Sequence, residues 1–291
     1  MAPVPFIDGL RVLADRYDAF VIDLWGVMHD GITAFPDAVA CLEVLKEQGK
    51  KTIILSNAPR RAEAVAQRNE ELGIRRDLCD VIMSSGEVAW RHLADRSDPW
   101  YRQLGHTCYH LGPDRDHGMR DGLDYDFTED LQKAEFVLLT GALSQEDRVE
   151  DYDDLLDAAV ARRLPMVCAN PDLEVIRGGK REICAGAIAL SYENKGGEVR
   201  YHGKPHQDVY EVCLSALGGV APDRVAGIGD SFRTDIAGAL ASGMGAIFVV
   251  GGIHEDELGV YADKQALGEQ VTRLGQEAKA VPQAALQRLI W

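Results

Sequence analysis

"FVIDLWGVMHD", residues 20–30, sets an apolar run against a single acid. Ala19, Phe20, Val21 and Ile22 carry no charge, Asp23 follows them, and Gly26 allows a tight turn. A short apolar run bounded by turn formers is the pattern of a buried strand, and a buried parallel strand delivers the acid at its carboxyl end into a crevice. Two positions on, where a second carboxylate would complete a nucleophile and acid/base pair, stands Trp25.

Working outward, strands and helices alternate. "PDAVACLEVLKEQG" predicts a helix, with Pro36 suited to its first turn, Val39, Leu42 and Leu45 on one face, and Gly49 at its stop. "KTIILSN" predicts a second strand, "PRRAEAVAQRNEELG" a helix, and "VIMSS" a third strand followed by "GEVAWRHLA". Late in the chain, "PHQDVYEVCLSALGG" and "TDIAGALASG" are expected as helices around the strands "RVAGIGD" and "GAIFVVGG". Strands separated by helices of this length imply a parallel α/β sheet, Rossmann-like, with right-handed crossovers. The middle differs. Residues around 97–130 are polar and rich in His, Asp and Gly, after which "AEFVLLTGAL", "DYDDLLDAAVARRL" and "PMVCANPDL" restore the rhythm. The expectation is an α/β unit at 84–198, inserted into a core made of residues 1–83 and 199–291. The acids of "EDYDD" read as a solvated helix face rather than a metal site.

Composition narrows the function. The 291 residues are 46% hydrophobic and 27% charged, ample for a core, and the net charge of −16 argues against nucleic acid or an anionic membrane as partner. No stretch reaches the roughly 18 apolar residues of a membrane span. The N-terminus lacks a basic-then-apolar signal layout. Cysteines 41, 79, 108, 168, 184 and 213 are scattered without a C-x-x-C pair, as in a reduced, cytoplasmic protein.

Four stretches place polar residues at strand ends or helix starts. The first supplies Asp23; the second, "IILSNAPR", supplies Ser56 and Asn57; the third, "YHGKPH", supplies Lys204; the fourth, "GIGDSFRTD", supplies Asp230 and Asp235. Singly, Ser56 reads as a helix N-cap, Lys204 as a surface lysine and Asp230 as a turn former. As an ordered set at one end of a sheet, they suit phosphoryl transfer. Asp23 and Asp230 are hard oxygen ligands of the kind Mg²⁺ takes, Lys204 and Ser56 can hold phosphate oxygens, and Asp23 can attack phosphorus.

The order Asp23-Leu24-Trp25-Gly26-Val27, Ser56-Asn57, Gly203-Lys204-Pro205, Gly229-Asp230 and Asp235 resembles the haloacid dehalogenase-like superfamily. "CANPDLEV", "CAGAIAL" and "YHGKP" resemble its class IIA branch, which holds nitrophenylphosphatase-type enzymes and nucleotide and sugar phosphatases. The resemblance implies a cap over the core and an Mg²⁺-dependent phosphomonoesterase acting on a small phosphorylated metabolite. It gives Asp23 the roles of nucleophile and metal ligand, Trp25 a main-chain carbonyl on the metal, Ser56 and Lys204 the phosphate, Asp230 the metal, and Asp235 a supporting role. Val249–Glu257 resembles the loop after the last motif. The resemblance leaves room for a homodimer through the cap. It also gives Asn57, Asn170 and Asp172 a place near substrate, with Arg177 a weaker candidate.

The family's acid two residues after the nucleophile is absent, because Trp25 has no side-chain proton for a leaving oxygen. His29 is the nearest substitute acid in sequence, against a plain reading as a polar turn residue. His106, His110 and His117 read either as a substrate contact or as solvated loop residues. Trp25 itself could wall the crevice or pack between core and cap. Three functions stay open: a phosphomonoesterase, a catalytically weak member that binds a phosphorylated ligand, and a hydrolase acting at carbon. The last has no use for a second metal-binding acid such as Asp230.

Overall fold

The computed structural model describes residues 2–258 and 263–291. Thirteen strands are found among the described residues: β1 (Ala19–Ile22), β2 (Lys51–Ser56), β3 (Val81–Ser84), β4 (Thr107–Leu111), β5 (Asp126–Thr128), β6 (Phe136–Leu139), β7 (Met166–Cys168), β8 (Glu174–Arg177), β9 (Lys180–Ile183), β10 (Val199–Tyr201), β11 (Val225–Gly229), β12 (Gly245–Val249) and β13 (Ala284–Leu286). They form a six-stranded sheet of order β13-β12-β11-β1-β2-β3, a five-stranded sheet of order β10-β7-β6-β4-β5, and the hairpin β8-β9. Both larger sheets are parallel throughout.

The first sheet is buried on both faces, which is why its central strands read as unbroken apolar runs. Along β1, Val21 packs into one core while Phe20 and Ile22 pack into the other. The helix Pro36–Glu47 covers the second face with Ala38, Cys41, Leu42 and Leu45, a stripe at helical spacing. Burying each leucine contributes about 1.5–3 kcal/mol. Gly49 then takes φ = 66°, the left-handed conformation that ends helices.

Topology places the crevice. The chain runs from β1 outward through β2 to β3, and later returns on the other side of β1 through β11 and β12. The strand order therefore reverses between β1 and β11, and ligand crevices in open α/β sheets open at such a point, beyond the strand carboxyl ends. Asp23 follows β1 and Asp230 follows β11.

The five-stranded sheet has its own apolar layers, one containing Leu111, Val137, Leu139, Leu156 and Ile188, the other Phe136, Leu138 and Val167. The polar stretch around 97–130 proves to hold β4 and β5. Its periodicity is masked because β4 reads Thr-Cys-Tyr-His-Leu, with His110 buried against Thr140 rather than facing water. The sheet also takes in β10, Val199–Tyr201, which pairs with β7 on the far side of the boundary at 198 expected from sequence. The first crossing between the sheets is fastened to elements on both sides. Ser84 Oγ donates to Arg60 O at 2.5 Å, and Ser85 Oγ donates to Ala58 O at 3.1 Å and Ala169 O at 2.6 Å.

Candidate active site

Asp23, Lys204, Asp230 and Asp235 meet at the switch point, each at most 7% exposed. The Asp23 main chain is fixed by its N–H to Ile228 O at 2.9 Å. Lys204 Nζ donates to Asp23 Oδ1 and, at 2.6 Å, to Asp235 Oδ1. Asp235 Oδ2 accepts the Ser231 N–H at 3.2 Å, and Asp230 Oδ2 accepts the Ile253 N–H at 2.8 Å. Two glycines make room for Asp230: a Cβ on Gly26, at φ = +77°, or on Gly252 would lie 2.0 Å from its Oδ2.

Three buried carboxyls face one ammonium, and the electrostatics follow. Burial pushes the Asp23 carboxyl up, and Lys204 pulls it back. Burial also pushes Asp230 well up, with Asp23 and Asp235 adding to the rise. For Lys204, burial works against its charge, but Asp23 and Asp235 outweigh it and hold the ammonium charged. One carboxylate oxygen from each of Asp23, Asp230 and Asp235 lies within 4.8 Å of the others. Such an excess of hard, anionic oxygen donors in a buried site fits a divalent cation of the Mg²⁺ class.

Ser56, at the end of β2, accepts the Ala58 N–H on Oγ at 3.2 Å, which leaves its hydroxyl proton free to donate. It caps no helix, since the helix Ala62–Glu71 begins six residues later. Asn57, expected near the phosphate, has both ends of its side chain engaged. Its Oδ1 accepts the Lys204 N–H at 2.7 Å, while its Nδ2 donates to Lys204 O at 3.0 Å and to Asp172 Oδ1 at 2.9 Å. Asn170 holds a turn, its Oδ1 accepting the Asp172 N–H at 2.9 Å. The main-chain contacts of Asp230 with Ile253 and Gly252 bring the loop Val249–Glu257 against the site.

Trp25 turns toward the hairpin. Its indole N–H donates to Ile176 O at 2.7 Å, and the Arg177 guanidinium lies 4.8 Å from its ring centre. Gly31, at φ = +86°, lies against the indole, where a Cβ would be 2.4 Å from Cζ2. His29 is 4% exposed, packs edge-on against Trp25 and accepts the Gly31 N–H on Nδ1 at 3.0 Å. Burial, with the nearby Arg68 and Arg177, holds its pKa down to about 4 despite Asp30. At neutral pH it is an uncharged imidazole, a poor proton donor. The three histidines expected as a substrate contact or as loop residues pair within the second sheet unit: His110 with Thr140 at 2.9 Å and with Arg120 at 2.8 Å, His117 with Asp114 at 3.6 Å, His106 with Asp124 at 4.0 Å. Sequence reasoning misses the main-chain carbonyl of Ile176 and the Arg233 guanidinium, which donates to Pro171 O. A carbonyl leaves no signal in a sequence, although Arg233 lies inside "GDSFRTD".

Two family models match: haloacid dehalogenase-like hydrolase over residues 20–126 and HAD-hydrolase-like over residues 201–271. A crystal structure of a haloacid dehalogenase-like family hydrolase from Brucella suis 1330 is 34% identical, covers 98% of this chain and 100% of its own, and superposes with a TM-score of 0.83. The chain belongs to the haloacid dehalogenase-like family. Among its relatives in that family are chronophin from Bos taurus, 27% identical over 267 residues, covering 84% of each chain. The D-glycerol 3-phosphate phosphatase of Mycobacterium tuberculosis is 25% identical over 278 residues, covering 93% of this chain and 74% of its own. This member is thus a hydrolase with a Rossmann-like core and a cap region. Among its described residues, no helix is long and apolar enough to cross a membrane.

Proposed function

We propose that the protein is an Mg²⁺-dependent phosphomonoesterase acting on a small phosphorylated metabolite, with Asp23 as nucleophile. The observation that carries this reading is Lys204 Nζ bridging Asp23 and Asp235 at the switch point, with Asp230 beside them. Relatives named as phosphatases support it. Asp23, Asp230 and the main-chain carbonyl of Trp25 would hold Mg²⁺, which when bound offsets the charge of the carboxylates and of the phosphoryl oxygens. We place the cap at residues 85–201, because Ser84 pairs with Ser56 in the core sheet and β10 pairs with β7, and the core on either side of it.

The chain's own residues divide the work. Lys204 and the Ser56 hydroxyl hold phosphoryl oxygens and orient phosphorus toward Asp23. The Asp23 carboxylate forms a bond to phosphorus as the ester oxygen leaves, giving a phosphoaspartate. Water then attacks that phosphorus, the bond to Asp23 breaks, and inorganic phosphate departs. Lys204 opposes the burial of Asp23, whose pKa still stands raised at about 7, so part of the nucleophile is ionised near neutral pH.

The test is turnover of an aryl phosphate and a panel of phosphometabolites by the purified protein, with Mg²⁺ and after chelation. Turnover that needs Mg²⁺ is expected. Turnover indifferent to chelation would overturn the metal assignment. Trp25 favours a second reading, a ligand-binding member that turns over little. Tight binding of a phosphorylated compound without release of phosphate, even from an aryl ester, would select that reading.

A further inference from the structure

With Trp25 at the acid position and His29 held neutral, a leaving alkoxide still needs a proton. We propose that Asp172, carried by the cap beyond the end of β7, is the general acid that protonates the leaving oxygen; this rests on the phosphomonoesterase reading.

The position of Asp172 is fixed by the seam between core and cap. Asn57 decides its orientation. A main-chain N–H can only donate, so the Lys204 N–H fixes Oδ1 of Asn57 on its own side. The Nδ2 group therefore points at Lys204 O and Asp172 Oδ1. The carboxyl of Asp172 is thus tied through one side chain to the residue whose ammonium touches Asp23. The backbone around it is tightly held: Asp172 N–H to Asn170 Oδ1 at 2.9 Å, Gly186 N–H to Asp172 O at 3.0 Å, and Arg233 to Pro171 O. Packing leaves no slack, since a Cβ on Gly203 would lie 2.5 Å from Asn57 Oδ1 and 3.2 Å from Pro171 Cδ. Among the described residues, only Asn57 hydrogen-bonds the Asp172 side chain, and Asp172 keeps partial solvent exposure. One oxygen is therefore engaged, and Oδ2 is available to carry a proton. The Asp172 carboxyl is near enough to Asp23 for the two charges to act on each other; in the proposed role its free oxygen lies on the side of the phosphoryl site from which the ester oxygen departs.

Charge favours that proton. The groups that act on Asp172 are Asp23 and Asp235, Lys204 and Arg233, and the thiols of Cys168 and Cys184. Burial pushes both thiols up, so they are neutral. Burial likewise raises Asp172 itself, against the pull of Lys204. An arriving phosphate monoester adds negative charge in front of Asp172 and disfavours its ionised form further. A carboxylate there would repel the substrate; a carboxylic acid donates a hydrogen bond to it. In the first half-reaction, the Asp172 O–H proton passes to the ester oxygen as its bond to phosphorus breaks and Asp23 bonds to phosphorus. In the second, the Asp172 carboxylate takes a proton from the attacking water, and both acids return to their starting state.

The experiment compares kcat/KM, which reports transfer to Asp23, for an aryl phosphate and an alkyl phosphate in wild type, Asp172→Asn and Asp172→Glu. A phenolate leaves without a proton, whereas an alkoxide does not. In Asp172→Asn, whose amide oxygen can still accept from Asn57, the alkyl rate is expected to fall on the order of 10²-fold further than the aryl rate. Asp172→Glu should recover part of that selective loss. Equal loss on both esters would mean that Asp172 serves only the seam, and an unchanged alkyl rate would mean that another group gives the proton; either overturns the proposal. Wild-type turnover of the aryl ester checks the phosphomonoesterase reading separately, because that ester needs no acid.

Discussion

At the scale of single residues, the side chains proposed as catalytic announce themselves by what precedes them. Asp23 and Asp230 each end an apolar run, and Ser56 closes a third, so a parallel sheet must bring them to one edge. Lys204 is legible only through its neighbours Gly203 and Pro205 and the family resemblance, since nothing local shows that the lysine is 4% exposed. Asn57 is legible as a residue of the site but not in its role, because its partners are the main chain of Lys204 and a carboxyl 115 positions away. Asp23→Asn keeps the shape of the proposed nucleophile and removes its carboxylate. Turnover of an aryl phosphate is expected to fall by at least about 10³-fold. Mass analysis of acid-quenched protein should find a phosphoryl group on Asp23 in wild type and none in the variant. A phosphopeptide lacking Asp23, or turnover near that of wild type, would show that another group attacks.

At the scale of elements, the loop after β1 and the hairpin β8–β9 form one device. The indole of Trp25 fastens Ile176, Arg177 covers its face while pairing with Glu182 at 3.2 Å, and Arg181 reaches Asp256 at 3.6 Å. The hairpin thus spans the loops after β1 and β12. It is hidden in the sequence because Glu174–Ile183 mixes charged and apolar residues around Gly178 and Gly179, and its docking uses a carbonyl. Trp25 therefore fastens the hairpin to the loop after β1. Trp25→Phe retains one aromatic ring and deletes the N–H donor together with the rest of the indole. One net hydrogen bond is worth about 0.5–1.5 kcal/mol, so amide hydrogens of the hairpin should exchange on the order of 2- to 10-fold faster, with those of β1 and β11 unchanged. Uniform exchange in both proteins would show that the indole bond does not hold the hairpin.

At the scale of the whole molecule, alternation of strands and helices is enough to give the parallel core, whereas the composition of β4 and β5 hides part of the cap. Neither signal reveals the cost of assembling the site. The fold buries Asp23, Asp230 and Asp235 around a single lysine, so part of its stability is given up to hold charge in place. The sign can be worked out for Asp230. Its folded pKa is raised, first by burial and then by Asp23 and Asp235. A carboxyl raised in this way binds its proton more tightly in the folded than in the unfolded state. Metal-free stability therefore falls as pH rises above about 4, the unfolded value, and the loss is complete only above the folded pKa. Asp230→Asn removes that burden, and its amide oxygen can still accept the Ile253 N–H. In chelator at pH 7, the variant is expected to melt above wild type. Mg²⁺ should reverse the order, because a ligand at 100 times its Kd adds about 2.7 kcal/mol to a protein that binds it and little to one missing a ligand. The pH series checks the cause: in chelator, the gap between the two proteins should close as pH is lowered toward 4. A variant that melts below wild type in chelator at every pH, or one that Mg²⁺ stabilises as much as it does wild type, would remove Asp230 from the metal site.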